Sequence, residues 1–212
     1  MEWITNGINA PKGFKSAGLH CGVKRKRKDL AIIVSEKPCQ YAGVFTKNVV
    51  KAAPVVWNMD LLNKKQMING IVVNSGNANA CTGEKGYKDC VDMAMVMADN
   101  LENVSKESIL VASTGVIGLP LPMDKINEGI INIIPTASDD EQSAVDASEA
   151  IMTTDTFTKV KSVKINIDGK EVILAGMSKG SGMIHPNMGT MLSFVTTDAN
   201  ISGELLQEML KE

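Results

Sequence analysis

Aromatic residues are scarce in this chain, at 4%, and there are only two histidines. Proteins that grip single-stranded nucleic acid stack bases on aromatic platforms, and this composition argues against that class. Charge of one sign is lacking too. A formal net charge of -2 provides no field for bulk nucleic-acid binding. Long hydrophobic runs are missing: Ile130-Ile131 and Ile133-Ile134, around one asparagine, are far too short to cross a bilayer. Residues Met1 to Gly7 show no charged-then-apolar leader, so no signal peptide is expected. The four cysteines (Cys21, Cys39, Cys81, Cys90) never form Cys-x-x-Cys, and cysteines and histidines show no metal-ligand spacing. The expectation is reduced thiols, no metal, no membrane association and a cytoplasmic location.

What is present is 212 residues, 44% hydrophobic and 22% charged, enough for a sizeable core of one or two domains. Thirteen methionines and few aromatics make that core aliphatic. The first third reads as β: Phe14 to Val23, Leu30 to Ser35, Tyr41 to Thr46 and Ala53 to Trp57. The basic run Lys24 to Lys28 lies between two of these segments and reads as a solvated hairpin turn. Asp60 to Gln66 reads as a short helix and Ile68 to Val73 as a buried strand. The middle is α-rich. Glu84 to Leu101 has helical spacing, with Thr82 as a candidate cap. Ile109 to Ala112 is strand-like, Pro122 suits a first helical position before Met123 to Ile134, and Ser138 with Glu141 spells a capping box before Asp140 to Met152. Val163, Ile165 and Ile167 then alternate, Asp168-Gly169 turns, and Val172 and Leu174 alternate back, which predicts a hairpin. A strand from Thr190 to Thr196 and a helix from Ser202 close the chain. The fold class is α/β, a layered mixed sheet-and-helix architecture.

The chemistry-bearing stretch is Lys179 to Leu192, a glycine-rich loop with one lysine and one histidine (His185) running into a strand at Gly189-Thr190. A threonine hydroxyl is a weak nucleophile without a base. The nearest base is the amine on its own α-carbon, free only if the Gly189–Thr190 bond is cut. Such an amine titrates at about 7.7, well placed for a general base. The plainer reading is a β-branched residue opening a strand. Thr114-Gly115, at a strand end, supplies a hydroxyl and an unobstructed N–H of the kind an acyl-transfer oxyanion needs; otherwise it is a turn. Lys179 suits a carboxylate substrate or lowers a neighbouring amine's pKa; otherwise it is a solvated loop lysine. Thr153-Thr154-Asp155-Thr156 offers small polar groups to a pocket or simply ends a helix. Asn74 to Gly83 lacks the Gly-Lys-Ser/Thr ending of a phosphate loop and reads as a tight structural loop with some access to a site.

Taken together, Asn74 to Gly83, Ser113-Thr114-Gly115-Val116-Ile117-Gly118, Met152 to Thr156 and Lys179 to Leu192 resemble the ornithine acetyltransferase family, the bifunctional glutamate N-acetyltransferases of arginine biosynthesis. The resemblance runs along essentially the whole chain, with the motifs in the family's order. It implies the fold of the self-cleaving acetyltransferase and aminopeptidase superfamily. It implies cleavage between Gly189 and Thr190 into an α chain (1–189) and a β chain, assembled as α2β2, of which 190–212 is the start (nucleophile strand and one helix) and the rest is absent, an apparent truncation. Thr190 then matches the acetyl carrier, Thr114 and Gly115 the oxyanion hole, and Thr153, Lys179 and Thr190 the substrate-binding positions. The implied reaction moves acetyl from N2-acetylornithine to glutamate without a cofactor; some members also take acetyl-CoA, which is therefore a candidate co-substrate. The residue before the nucleophile is often alanine in that family, and the smaller Gly189 should permit cleavage. The rival expectations are an N-terminal-nucleophile peptidase or amidase, and an inactive truncated remnant or partner subunit.

Overall fold

The computed structural model describes residues 1–181 and 191–212; the expectations that fall on His185, Gly189 and Thr190 lie outside the described residues. In chain order the elements are β1 (Glu2–Ile4), β2 (Phe14–Leu19), β3 (Leu30–Cys39), α1 (Ala53–Asn63), β4 (Ile68–Asn77), α2 (Gly83–Asp99), β5 (Ile109–Val116), α3 (Met123–Ile133), α4 (Glu141–Ala150), β6 (Lys159–Ile167), β7 (Lys170–Lys179), β8 (Leu192–Thr197) and α5 (Gly203–Met209). The strands form two four-stranded sheets, β2-β3-β4-β5 and β1-β6-β7-β8.

Strand β3 shows why the layers form. Leu30 and Ile32 enter one aliphatic cluster with Met93 and Met97 of α2 and Ile126 and Ile130 of α3. Their alternates Ala31 and Ile33 enter a second cluster with Ala147 and Ala150 of α4 and Met177 of β7. A strand apolar on both faces is buried on both, so the first sheet sits between helices and the second sheet. The β4–β5 pair is parallel, joined through α2, as a parallel crossover requires. Helix α4 presses onto β2 at Gly18, where a Cβ would lie 2.1 Å from the carbonyl oxygen of Asp146.

The β6–β7 hairpin matches expectation: Asp168 (φ +50°) and Gly169 (φ +79°) make the turn between Ile167 and Lys170, which pair. Two expected strands are absent, and a third expectation is met in part. Ala53 to Trp57 is not a strand but the start of α1, which also absorbs most of the helix expected at Asp60 to Gln66. Pro54, Trp57 and Leu61 are its buried residues, and that spacing outweighs the β propensity of Val55 and Val56. Tyr41 to Thr46 forms no strand; the backbone N–H and carbonyl of Gly43 are taken by the Gln207 side chain of α5, both at 3.0 Å. The basic run does connect antiparallel strands, but it is not simply solvated. Asp29, wholly buried, accepts from the backbone N–H groups of Cys21 and Lys24, both at 2.7 Å, and draws the loop inward. Lys28 Nζ then pairs with Asp146 and Glu149 of α4.

Two caps differ in detail. Asp140, not Ser138, caps α4 by accepting from the Ser143 N–H at 2.7 Å, while the Ser138 hydroxyl supports Asp140. Pro122 stands one residue before the helical stretch of α3. Among the described residues no helix is long and apolar enough to cross a membrane.

Candidate active site

Three element ends converge on one ammonium group. Strand β7 turns Ala175, Met177 and Lys179 to its buried side, as residues two apart must, and Lys179 is the last of them. Its side chain is 4% exposed. Lys179 Nζ donates to Thr114 Oγ1 at 3.1 Å and to Thr153 Oγ1 at 2.9 Å. Thr114 stands near the end of β5 in one sheet, Lys179 ends β7 in the other, and Thr153 follows α4. The structure therefore brings together three of the residues singled out in the sequence. Burial lowers the pKa of Lys179, the Asp155 carboxylate works against that, and Lys159 adds to it.

Asp155 is the organiser that sequence reasoning treated only as part of a polar stretch. It is 2% exposed and accepts from Lys159 Nζ at 2.6 Å, the Gly180 N–H at 2.8 Å and the Thr153 N–H at 3.3 Å. Burial alone would raise its pKa, but these three donors outweigh it and hold the carboxyl at about 2. One carboxylate thus fixes both the turn carrying Thr153 and the backbone just past Lys179. The sequence signal was present: one acid among three threonines, followed four residues later by a lysine. Thr154 and Thr156 are exposed and take no part in the cluster.

Gly115 follows Thr114 with φ +134°, and a Cβ there would lie 2.3 Å from the carbonyl carbon of Gly76, its register partner on β4. Only glycine fits such a backbone. The register shifts immediately afterwards, with Asn77 facing both Thr114 and Val116, an irregularity of the kind that re-aims a strand end.

The asparagine-rich loop resolves in favour of its structural reading. Asn74 Nδ2 donates to the Asn77 carbonyl at 2.9 Å, Asn77 Nδ2 to the Leu119 and Pro120 carbonyls, both at 3.0 Å, and Asn79 Nδ2 to the Gly86 carbonyl at 2.8 Å. Thr82 precedes α2, but its hydroxyl donates to Asn79 Oδ1 at 2.7 Å rather than capping the helix.

The cluster has a definite chemical capacity. A threonine hydroxyl that accepts from an ammonium is polarised, and its own proton points elsewhere. The Thr114 hydroxyl therefore keeps a polarised O–H to donate.

Residues 15–212 match the model of the ArgJ family. The chain belongs to the ArgJ family. It is 56% identical over 202 residues to the arginine biosynthesis bifunctional protein ArgJ of Thermotoga neapolitana, covering 95% of this chain and 50% of that protein. The chain thus spans about half the length of the curated relatives it matches. Among solved structures, the ornithine acetyltransferase of Mycobacterium tuberculosis, crystallised with ornithine, superposes with a TM-score of 0.81 at 37% identity, over 87% of this chain and 97% of that one. The L-aminopeptidase D-Ala-esterase/amidase of Ochrobactrum anthropi, a variant of the Ntn-hydrolase fold, superposes with a TM-score of 0.58 at 14% identity, over 98% of this chain and 67% of that one. That likeness shows the fold alone. The expected layered α/β architecture is the one observed.

Proposed function

We propose that the chain carries the nucleophile of a glutamate N-acetyltransferase of arginine biosynthesis that moves acetyl from N2-acetylornithine to glutamate. The observation that carries the reading is the buried Lys179–Thr114–Thr153 cluster, together with its place in the chain. Strand β8 begins two residues after Thr190, and its first residue, Leu192, is the register partner of Lys179. Family membership and an ornithine-bound relative support the substrate class.

The chemistry follows in two stages. In maturation, the Thr190 hydroxyl oxygen attacks the Gly189 carbonyl carbon, the C–N bond breaks, and an ester forms. Water then hydrolyses the ester, leaving a carboxylate on Gly189 and a free amine on Thr190. In catalysis, Thr190 Oγ attacks the acetyl carbonyl of acetylornithine while the Thr190 amine takes the hydroxyl proton. The Thr114 hydroxyl and the Gly115 N–H hold the oxyanion, and the carbonyl re-forms as the ornithine amine leaves with that proton. The glutamate amine then attacks the acetyl-threonine ester, returning the hydroxyl and releasing acetylglutamate. Lys179 and Thr153 orient the amino-acid substrate. No cofactor enters these steps; acetyl-CoA is an alternative acetyl donor. The enzyme assembles as α2β2 in the cytoplasm, with 1–189 as the α chain.

Mass spectrometry of the full polypeptide its gene encodes tests this. The expected result is a new N-terminus at Thr190, lost in Thr190→Ala, with ornithine released in step with acetylglutamate. Intact chain alongside full transfer activity would overturn the mechanism, and free acetate without acetylglutamate would assign a hydrolase instead.

A further inference from the structure

Lys24 belongs to the loop between β2 and β3, far in sequence from every residue of the cluster, yet it reaches the same place. Its Nζ donates to the Met152 carbonyl at 2.5 Å and to the Lys28 carbonyl at 2.9 Å. Met152 lies just past the end of α4 and immediately before Thr153. The helix ends at Ala150, and the negative end of its dipole favours a cation near the turn that follows. The neighbouring Ala150 carbonyl is taken by the Ser75 hydroxyl of β4. The stem of Lys24 also lies against β4: a Cβ on Gly76 would stand 3.1 Å from Lys24 Cγ, and Gly76 is the register partner of Gly115.

Lys24 thus bridges the strand pair carrying Thr114 and Gly115 and the turn carrying Thr153. We infer that Lys24 is a positioning residue for the acetyl-transfer site, holding the Met152 carbonyl so that Thr153 stays within reach of Lys179 and substrate. The inference rests on the function proposed above. Lys24 is not a catalytic residue, since it acts through the backbone of Met152.

The ammonium is in an unusual state. Burial pushes its pKa down to about 8; Asp29 works against that, Arg27 and Lys179 add to it, and Asp155 opposes it. These are the charged groups that face it, from its own loop, from β7 and from the turn after α4. The Lys28 ammonium is engaged with Asp146 and Glu149. Below about pH 8 Lys24 is charged and holds both carbonyls firmly; above it the neutral amine holds them weakly.

The test compares Lys24→Met and Lys24→Arg with wild type in the full polypeptide. The Lys24 backbone N–H is tied to Asp29 whatever the side chain, so the loop keeps its anchor. In Lys24→Met, KM for N2-acetylornithine should rise about fivefold or more, with kcat within about twofold, because a substrate-orienting group is loosened while the acyl carrier is untouched. Lys24→Arg should restore most of the loss. It should also remove the rise in KM expected of wild type above about pH 8, since arginine stays charged. Hydrogen exchange gives a reading independent of activity: amides of 152–156 should exchange faster in Lys24→Met while those of β4 and β5 do not change. Unchanged KM and unchanged exchange in Lys24→Met would overturn the inference, as would faster exchange spread evenly over the chain. If wild type shows no transfer, the functional reading fails, and the exchange measurement still decides the tether.

Discussion

At the scale of single residues, the site depends on a carboxylate that touches no reacting atom. Asp155 pulls three donors onto one buried side chain, and its negative charge also works against the Lys159 charge felt by Lys179. Removing one partner of a buried pair generally costs more than the pair contributes, because the other charge is stranded. Asp155→Asn keeps the shape and one acceptor oxygen but loses the charge. We expect it to lower unfolding stability by about 3–5 kcal/mol at neutral pH. The sign with pH is fixed by the depressed carboxyl. Its folded value of about 2 lies below the ordinary 3.8, so its stabilisation is complete above pH 4 and disappears as pH falls towards 2. Urea unfolding of wild type and Asp155→Asn should therefore show a gap that closes across that interval. A gap of constant size down to pH 2 would mean the carboxylate contributes nothing through its charge.

At the scale of elements, the edge of the first sheet shows what the sequence did and did not disclose. Strand β5 has β4 on one side and α1 on the other. Asn58 of α1 donates from Nδ2 to the Val111 carbonyl at 2.8 Å and accepts the Val111 N–H on Oδ1 at 3.1 Å, so its amide does what a neighbouring strand would do. Trp57 Nε1 donates to the Ile109 carbonyl at 3.0 Å. An exposed strand edge invites pairing with other chains, and two helix side chains close this one. Asn58→Leu strands one donor and one acceptor on Val111, and we expect a loss of about 2 kcal/mol with increased aggregation on partial unfolding. Thermal unfolding followed by light scattering checks this; a variant as stable and as soluble as wild type would refute it. The strands β3, β4 and β5, the hairpin β6–β7 and helices α2 to α4 were legible because their apolar periods are long and their turns use the expected residues. Helix α1 was not, because Val55-Val56 favours a strand locally and only tertiary contacts of Trp57 and Leu61 decide otherwise. Thr114, Thr153 and Lys179 were legible as motif residues. Their shared hydrogen bonds, the hub at Asp155 and the tether from Lys24 were not, because each joins segments far apart in sequence.

At the scale of the whole molecule, the cluster straddles the two sheets. Thr114 belongs to one and Lys179 to the other, so the 3.1 Å bond between them measures how well the sheets are docked. The docking is made by the second aliphatic cluster, in which Met177 of β7 packs with residues of β3, β4, β5 and α4. Met177 is 1% exposed and lies two residues before Lys179, on the same face of the strand. Met177→Ala would open a void in this cluster, two residues before Lys179. Truncating a buried methionine costs about 2–5 kcal/mol, and here the loss falls on the contact that sets the distance between the two halves of the site. Two effects are therefore expected together: lower unfolding stability and, under the proposed function, a KM for acetylornithine raised several-fold even at temperatures where the variant is fully folded. Met177→Leu nearly conserves volume and should cost less than about 1.5 kcal/mol while leaving KM close to wild type. If both variants lost stability in that order but neither altered KM, the sheets would be docked independently of Met177, and the geometry of Thr114 and Lys179 would have to be held by the Asp155 hub alone.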